Sequence, residues 1–431
     1  MKKLRLIALL LAAVMMLASC GGGKPAATTS PQTSATTEAS TQATTEATTA
    51  PEIKAEEWVI ITAMSEVNAN YWNATSYLAD AIDAITGKYP ELVADVSYKE
   101  DKYGENVGRI YLGGTKFDQT AELQALGLGA VGYAYKVFSA SEIAICSATD
   151  YALVKAVKAF CADELGYDGE GTVPEAIELT AGAQSFRDGN VDLDLTGYEL
   201  VFEDEFEGTE LDLEKWEYRG SGKRRAGYNS SETVSVRDGN LVMEYVYRNG
   251  EYGEGWYAGM IRAKERFLRG YFEVRMICVD QYPAGFWSAF WLQGSHPYDE
   301  LSYGGIGSAE IDIVEAFRDK DGPMQMTSTV HCAGYAEGGI MAGLRSSPGP
   351  CNRFSIEDMC TAYHTYGLEW TEEEYRFFLD GKCVYELVWA DGVTTDMEEM
   401  IISLEIPSEI TVDTSVRGEM FVDYVKVYQI P

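Results

Sequence analysis

The sequence predicts an all-β sandwich preceded by a small α+β domain, and three observations carry that prediction. From Leu195 onward the chain is a succession of short alternating runs broken by Gly, Asn and Asp, with no long helical period. That is the texture of a two-sheet sandwich. Between Glu52 and about Leu179, strand-like runs alternate with helical apolar spacing instead, as in an α+β module. The third observation is Ser308-Ala309-Glu310-Ile311-Asp312-Ile313-Val314-Glu315-Ala316-Phe317, in which three carboxylates within six residues are interleaved with β-branched apolar residues. It reads as a strand with acid on one face and core on the other.

In chain order, Met1 to Cys20 starts with Lys2, Lys3 and Arg5 and continues in an apolar run from Leu6 to Leu17. The run is too short to span a bilayer comfortably, so a secretion signal is expected. Leu17-Ala18-Ser19-Cys20-Gly21 resembles the bacterial lipobox, which implies cleavage before Cys20 and lipidation of that residue. Residues 21–51 are nearly all Gly, Ala, Thr, Ser, Pro, Gln and Glu. Such a segment cannot bury enough apolar surface to fold and is expected to act as a linker. The expected location is therefore the extracellular face of a bacterial cell membrane, with the protein held there by its lipid.

Residues 52–190 are read as the α+β domain. Trp58-Val59-Ile60-Ile61 and Arg109-Ile110-Tyr111-Leu112 are strand-like, and Tyr77, Leu78, Ala81, Ile82 and Ile85 share one helical face. Tyr133 to Val137 and Glu142 to Cys146 read as a hairpin, followed by a helix from Asp150 to Phe160 capped by Thr149 or Asp150. The run Ile110-Tyr111-Leu112-Gly113-Gly114-Thr115, with Ile143-Ala144-Ile145 and an Ala-rich helix after it, is similar to the small domain that precedes the barrel of hexosaminidases and α-glucuronidases. No paired acids or metal spacing there suggest catalysis, so a spacer or docking module is expected.

Residues 195–431 are read as the sandwich. Asp238-Gly239 marks a tight turn into a strand. Along Gly270 to Met276, Phe272, Val274 and Met276 alternate with Tyr271, Glu273 and Arg275, so the first set is expected in the core. In Phe286-Trp287-Ser288-Ala289-Phe290-Trp291-Leu292, parity sets Phe286, Phe290 and Leu292 apart from Trp287, Ala289 and Trp291. Two indoles on the outward face are candidate platforms for the flat apolar faces of sugars.

Within the acidic strand, Glu310 and Asp312 share a face and Glu315 has the wrong parity. One extra residue bulged around Ile313-Val314 corrects it, and bulges re-aim side chains beside active sites. Four effective strand steps separate the Glu310 and Glu315 backbones by about 13 Å. Leaning inward, the two carboxyl groups come within roughly 5 to 6 Å, the separation of a retaining rather than an inverting glycosidase. Carboxylates so close cannot all ionise, so one is expected to hold its proton near neutral pH.

Glu-Ile-Asp-Ile-Val-Glu resembles the bulged signature of glycoside hydrolase family 16. The resemblance extends through Leu200 to Phe206, Gly285-Phe286-Trp287-Ser288-Ala289-Phe290-Trp291, Thr329-Val330-His331, the His364-x-Tyr366-x-x-Glu369-Trp370 strand and Met420 to Tyr428. It implies a concanavalin A-like jelly roll and a retaining endo-glycosidase acting on β-linked polysaccharide. In that scheme Glu310 is the nucleophile, Glu315 the acid/base, and Asp312 the residue between them that tunes which carboxyl keeps the proton. Trp287 and Trp291 belong to the substrate cleft, His331 approaches the carboxylates, and His364 is structural. The first-choice substrate is β-1,3- or β-1,3(4)-glucan, with agar, carrageenan or host β-galactans as the alternative; the loops Tyr298 to Gly307 and Ala333 to Asn352 shape that choice. Catalysis is expected to need no cofactor. One structural calcium ion is implied at Glu203, a carbonyl near Gly239, and Asp423.

Charge and cysteines set outer bounds. A net charge of −34 lacks the basic face that a nucleic-acid partner requires. The histidines, His296, His331 and His364, have no His-x-x-x-His spacing, which argues against zinc chemistry. Of eight cysteines, setting Cys20 aside leaves seven, an odd number. Cys332, Cys351 and Cys360 leave room for one bridge, and Cys146, Cys161, Cys278 and Cys383 sit in apolar patterns as small buried hydrophobes. A monomer is expected. The rival class is a lectin-like sandwich that binds glycan without cutting it, yet such a module has no use for three crowded carboxylates. A transglycosylase shares the same intermediate, and residues alone do not separate it from a hydrolase.

Overall fold

The structure, a computed structural model, describes residues 55, 57–63, 69–170, 172–294, 309–318, 322–332, 351–388 and 392–431. The signal and Cys20, the 21–51 linker, His296, the Tyr298 to Gly307 loop and residues 333–350 lie outside them. All the described residues belong to one compact unit, Glu52–Pro431. Among them the strands form three sheets.

The first sheet has six strands in the order Glu91–Ala94, Glu57–Thr62, Val107–Leu112, Glu142–Ser147, Tyr133–Ser139, Gln184–Arg187. The first four run parallel, and Tyr133–Ser139 pairs antiparallel with both of its neighbours. Alternation along Glu57–Thr62 assigns its two faces. Trp58 and Ile60 pack under the helices Ala69–Thr86 and Asp150–Leu165, and Val59 and Ile61 pack against Leu123 of the helix Asp118–Gln124. The Thr149 hydroxyl accepts the Ala152 N–H to start the long C-terminal helix, and Gly166 at φ +62° ends it.

The other two sheets make a sandwich. One has seven antiparallel strands in the order Cys351–Ser355, Met324–Cys332, Ala309–Arg318, Trp287–Gly294, Glu398–Glu405, Met260–Phe267, Trp216–Tyr218. The other has eleven and contains Gly270–Ile277 between His364–Trp370 and Gly418–Gln429. Phe272, Val274 and Met276 from the latter meet Phe286, Phe290 and Leu292 from the former in one core, as alternation requires. Asp238 and Gly239 both take positive φ, +53° and +71°, and close the hairpin between Val234–Arg237 and Asn240–Gly250 as a two-residue turn.

The outer face of the eleven-stranded sheet is not open. Tyr271 was expected there as a surface residue, but it is 1% exposed, packed with Phe378 and Cys383 against Val131 of the α+β module. Gly367 is required beneath it, since a Cβ would stand 2.2 Å from the Tyr271 hydroxyl. Residues 191–193 extend the contact by backbone bonds from Cys383 N–H to Val191 O and from Leu193 N–H to Gly381 O. The α+β module thus grips the back of the sandwich, on the side away from the acidic strand.

Cys146, Cys161, Cys278 and Cys383 are buried, and neither they nor Cys360 form a disulfide among the described residues. The side chains of Cys332 and Cys351 lie outside the described residues.

Candidate active site

Ala309–Arg318 runs between Trp287–Gly294 and Met324–Cys332, and its register contains one irregularity. Glu310 faces Gln293, Ile311 faces Leu292 and Asp312 faces Trp291; then Val314 faces Phe290 and Glu315 faces Ala289. Ile313 is therefore the extra residue. On the other edge Asp312 pairs with Thr329 and Glu315 with Thr327. Ser328, between them, donates its hydroxyl to Ile313 O at 2.8 Å and fastens the bulge. The sequence favours this local form because Ile313 and Val314 are adjacent and both apolar. A regular strand would expose one, whereas the bulge buries both completely in the core.

With the parity corrected, Glu310, Asp312 and Glu315 line one cleft of about 350 Å³. Asp312 is 5% exposed and lies with an oxygen 3.1 Å from His331 Nε2. Oxygens of Glu310 and Asp312 and a ring nitrogen of His331 all fall within 4.8 Å of one another. Burial, followed by Glu310 and Glu405, pushes the Asp312 carboxyl well above the usual range. Glu315 is pushed up to about 8, by burial first and then by Asp312. The Trp287 indole opposes that shift, donating its N–H to Glu315 Oε1 at 2.9 Å, and so does His331. Glu315 therefore keeps its proton at neutral pH, as a general acid must.

Several residues of the cleft had no sequence signal beyond strand parity. Gln293 donates to Glu310 Oε2 at 2.6 Å, and Arg219 fixes that amide by donating to its Oε1 at 2.5 Å. Arg219 is itself held by Glu399, at 3.0 Å. At the other end Glu405 receives Arg224 and Arg225. Gln293 shares the face of Trp287 and Trp291 by parity, and Glu399 and Glu405 alternate with the core residues Met400, Ile402 and Leu404. What parity could not supply is which strand lies beside which.

Trp287 and Trp291 both line the cleft beside the acids. Trp291 is 7% exposed, packs with Met260, Ala289 and Ile401, donates its N–H to Ser403 Oγ at 3.1 Å, and carries the Arg219 guanidinium 5.0 Å from its ring centre. It lines the cleft with the three acids while being largely buried. Trp287 is half-buried, with the Arg225 guanidinium 5.0 Å from its ring centre and Phe317 5.3 Å away. Both indoles are stacked by cations that are distant in sequence.

The Asp423 carboxylate is paired with Arg275, and Lys215 donates to the Glu203 carbonyl at 2.8 Å. Asp423 is thus already on a cationic side chain, whereas the Lys215 contact is to the Glu203 backbone and does not engage the Glu203 carboxylate. His364 bridges Asp380 and Asp358 at the far sheet, at 2.8 and 3.1 Å, as a structural clamp.

A sequence profile described as "Beta-porphyranase A-D, GH16 domain" matches residues 200–430. A "Glucan endo-1,3-beta-glucosidase A1" from Niallia circulans is 24% identical over 271 residues, covering 54% of this chain and 38% of the relative. A "Beta-glucanase" from Rhodothermus marinus is 28% identical over 261 residues, covering 54% of this chain and 85% of the relative. Among solved structures, a non-specific endo-β-1,3(4)-glucanase of the same family is 25% identical with a TM-score of 0.47, over 56% of this chain and 96% of that one. With the profile spanning the whole sandwich, acidic strand included, the chain belongs to glycoside hydrolase family 16.

Proposed function

We propose that the chain is a retaining endo-glycosidase that hydrolyses β-linked polysaccharide, most directly β-1,3- or β-1,3(4)-glucan. The observation that carries this reading is the bulge at Ile313, which turns Glu315 onto the face of Glu310 and Asp312. In this scheme the Glu310 carboxylate attacks the anomeric carbon while Glu315 gives its proton to the departing oxygen. The glycosyl-enzyme is then opened by water, whose proton returns to Glu315. Gln293 aims the Glu310 carboxylate, and Asp312, held by His331, adds the negative field that keeps the Glu315 proton in place.

The glucan reading is supported by the names of the relatives. A sulfated β-galactan is the second reading, favoured by the profile's porphyranase description and by Arg219, Arg224 and Arg225 along the cleft. Purified protein assayed on laminarin, mixed-linkage glucan, agarose, porphyran and mucin is expected to release reducing ends from the first two. Proton NMR of the earliest product is expected to show the β anomer. An α product contradicts the two-step scheme, and cleavage of porphyran alone selects the second reading.

The same proposal holds the enzyme outside the cell by a lipid on Cys20, supported by the Leu17-Ala18-Ser19-Cys20 run and the linker after it. Full-length protein expressed in a bacterial host is expected in the membrane fraction, and Cys20→Ala in a soluble one. Equal partition of the two would refute the anchor.

A further inference from the structure

We propose that Glu405 is a positioning residue for proton transfer: with Arg224 and Arg225 it forms a charged clamp that seats Arg225 on the Trp287 indole and faces Glu315. This rests on the reading of Glu315 as the acid/base. Glu405 stands directly opposite Trp287 in the strand register and is 4% exposed. Its Oε2 accepts three N–H groups, from Arg224 Nε at 3.0 Å, Arg224 Nη2 at 2.6 Å and Arg225 Nη1 at 2.6 Å. Arg225 Nη1 also reaches Ile406 O at 3.2 Å, and Ala226 N–H donates to Pro407 O at 3.1 Å. The arginine turn is therefore fastened to Glu405 and to the two residues after it, and Arg225 takes φ +47° to fit.

The clamp is lopsided in a way that an ordinary structural ion pair is not. All three donors converge on Oε2, while Oε1 is buried with no hydrogen-bond partner among the described residues. A bidentate pairing would satisfy both oxygens. Here the arrangement leaves carboxylate charge directed at its neighbours, and Glu405 indeed adds to the upward push on both Glu315 and Asp312.

Other charged and polar groups also face Glu315. They are Glu310 and Asp312 on its own strand, His331 on the next, Arg353 in register beyond Thr327, and the Trp287 N–H from the opposite side. Glu405 and its two arginines, together with Arg219, are the charged contributions from the remaining side of the cleft.

Opposite shifts in two variants test the idea. The measurement is the alkaline limb of kcat/KM against pH, with melting temperature in parallel. Glu405→Gln keeps the shape but removes the negative charge and leaves two guanidinium groups unbalanced, so the limb is expected to move down by roughly half a unit or more. Arg225→Ala uncovers the Glu405 charge, so the limb is expected to move up by a similar amount, roughly half a unit. Shifts in the same direction, or an unmoved limb with lower activity, would reduce Glu405 to a structural counter-ion and overturn the proposal. If Glu405→Gln does not fold, the Arg225→Ala limb decides alone, and the proposal fails unless it rises. Failure of the parent reading is separable: a limb that persists in Glu315→Gln on an aryl glycoside removes Glu315 as the acid, whatever Glu405 does.

Discussion

Glu315→Gln is expected to lower kcat/KM on polysaccharide by about a thousandfold, in the middle of the range for loss of a general acid. An unactivated sugar alkoxide is a poor leaving group, and the surroundings of Glu315 keep a proton available on it at neutral pH. Wild-type activity should accordingly fall as pH rises through about 8, where that proton is lost. The amide has the same shape and can still accept the Trp287 N–H, so the melting temperature should change little. An aryl glycoside with an acidic phenol needs no protonation to depart. On that substrate Glu315→Gln should form the glycosyl-enzyme at nearly the wild-type rate, whereas Glu310→Gln should remain inactive. Comparable losses for both variants on both substrates would sink the division of roles.

The second large effect lies far from the cleft. Glu386→Ala is expected to destabilise the folded chain by about 3–5 kcal/mol, the usual cost of removing one partner from a buried ion pair. Glu386 is 1% exposed and sits where the α+β module meets the sandwich. Arg187 binds it with two parallel bonds of 2.9 Å, and Lys155 reaches it and Glu374 at 2.7 Å each. Arg376 closes the group by pairing with Glu374 at 2.8 Å. Without Glu386, Arg187 loses its carboxylate and Lys155 keeps only Glu374, on a surface that also carries Tyr271, Phe378 and Val131.

The pH dependence has a definite sign. Burial alone would raise the Glu386 carboxyl, but hydrogen bonds and charge from Arg187 and Lys155 outweigh it and hold it below its ordinary value of 4.5. The stabilisation is therefore complete above that value and is lost as pH falls through the lower folded one. Urea titrations at neutral pH and in acid should show the wild type and Glu386→Ala converging in acid. A difference that persists unchanged there would mean the loss is one of packing rather than charge.

Much of this fold could be read from residue order because it depends on short-range alternation. Phe272, Val274 and Met276 had to share a face, as did Phe286, Phe290 and Leu292, and the two sets had few places to go except against each other. The bulge was legible for the same reason: Ile313 and Val314 both demand burial, while the acids on either side demand one common face. The thiols of Cys146, Cys161, Cys278 and Cys383 followed their apolar neighbours inward.

What failed to appear was whatever depended on the partner across a sheet or a module interface. The run around Trp287 and Trp291 says nothing of Arg225 and Arg219, which approach them from more than sixty residues earlier in the chain. Tyr271 looked exposed because its cover comes from the first module. The Arg275 partner of Asp423 likewise comes from a strand remote in the chain.

The sequence by itself determined the sandwich, the trio of acids and the kink that aligns them, since each follows from the two-residue period of a strand and the cost of exposing apolar surface. Only the tertiary structure decided how that trio is charged and what stands around it. Proton affinities and ion pairs depend on distances between groups remote in the chain, and strand register, not residue order, sets those distances.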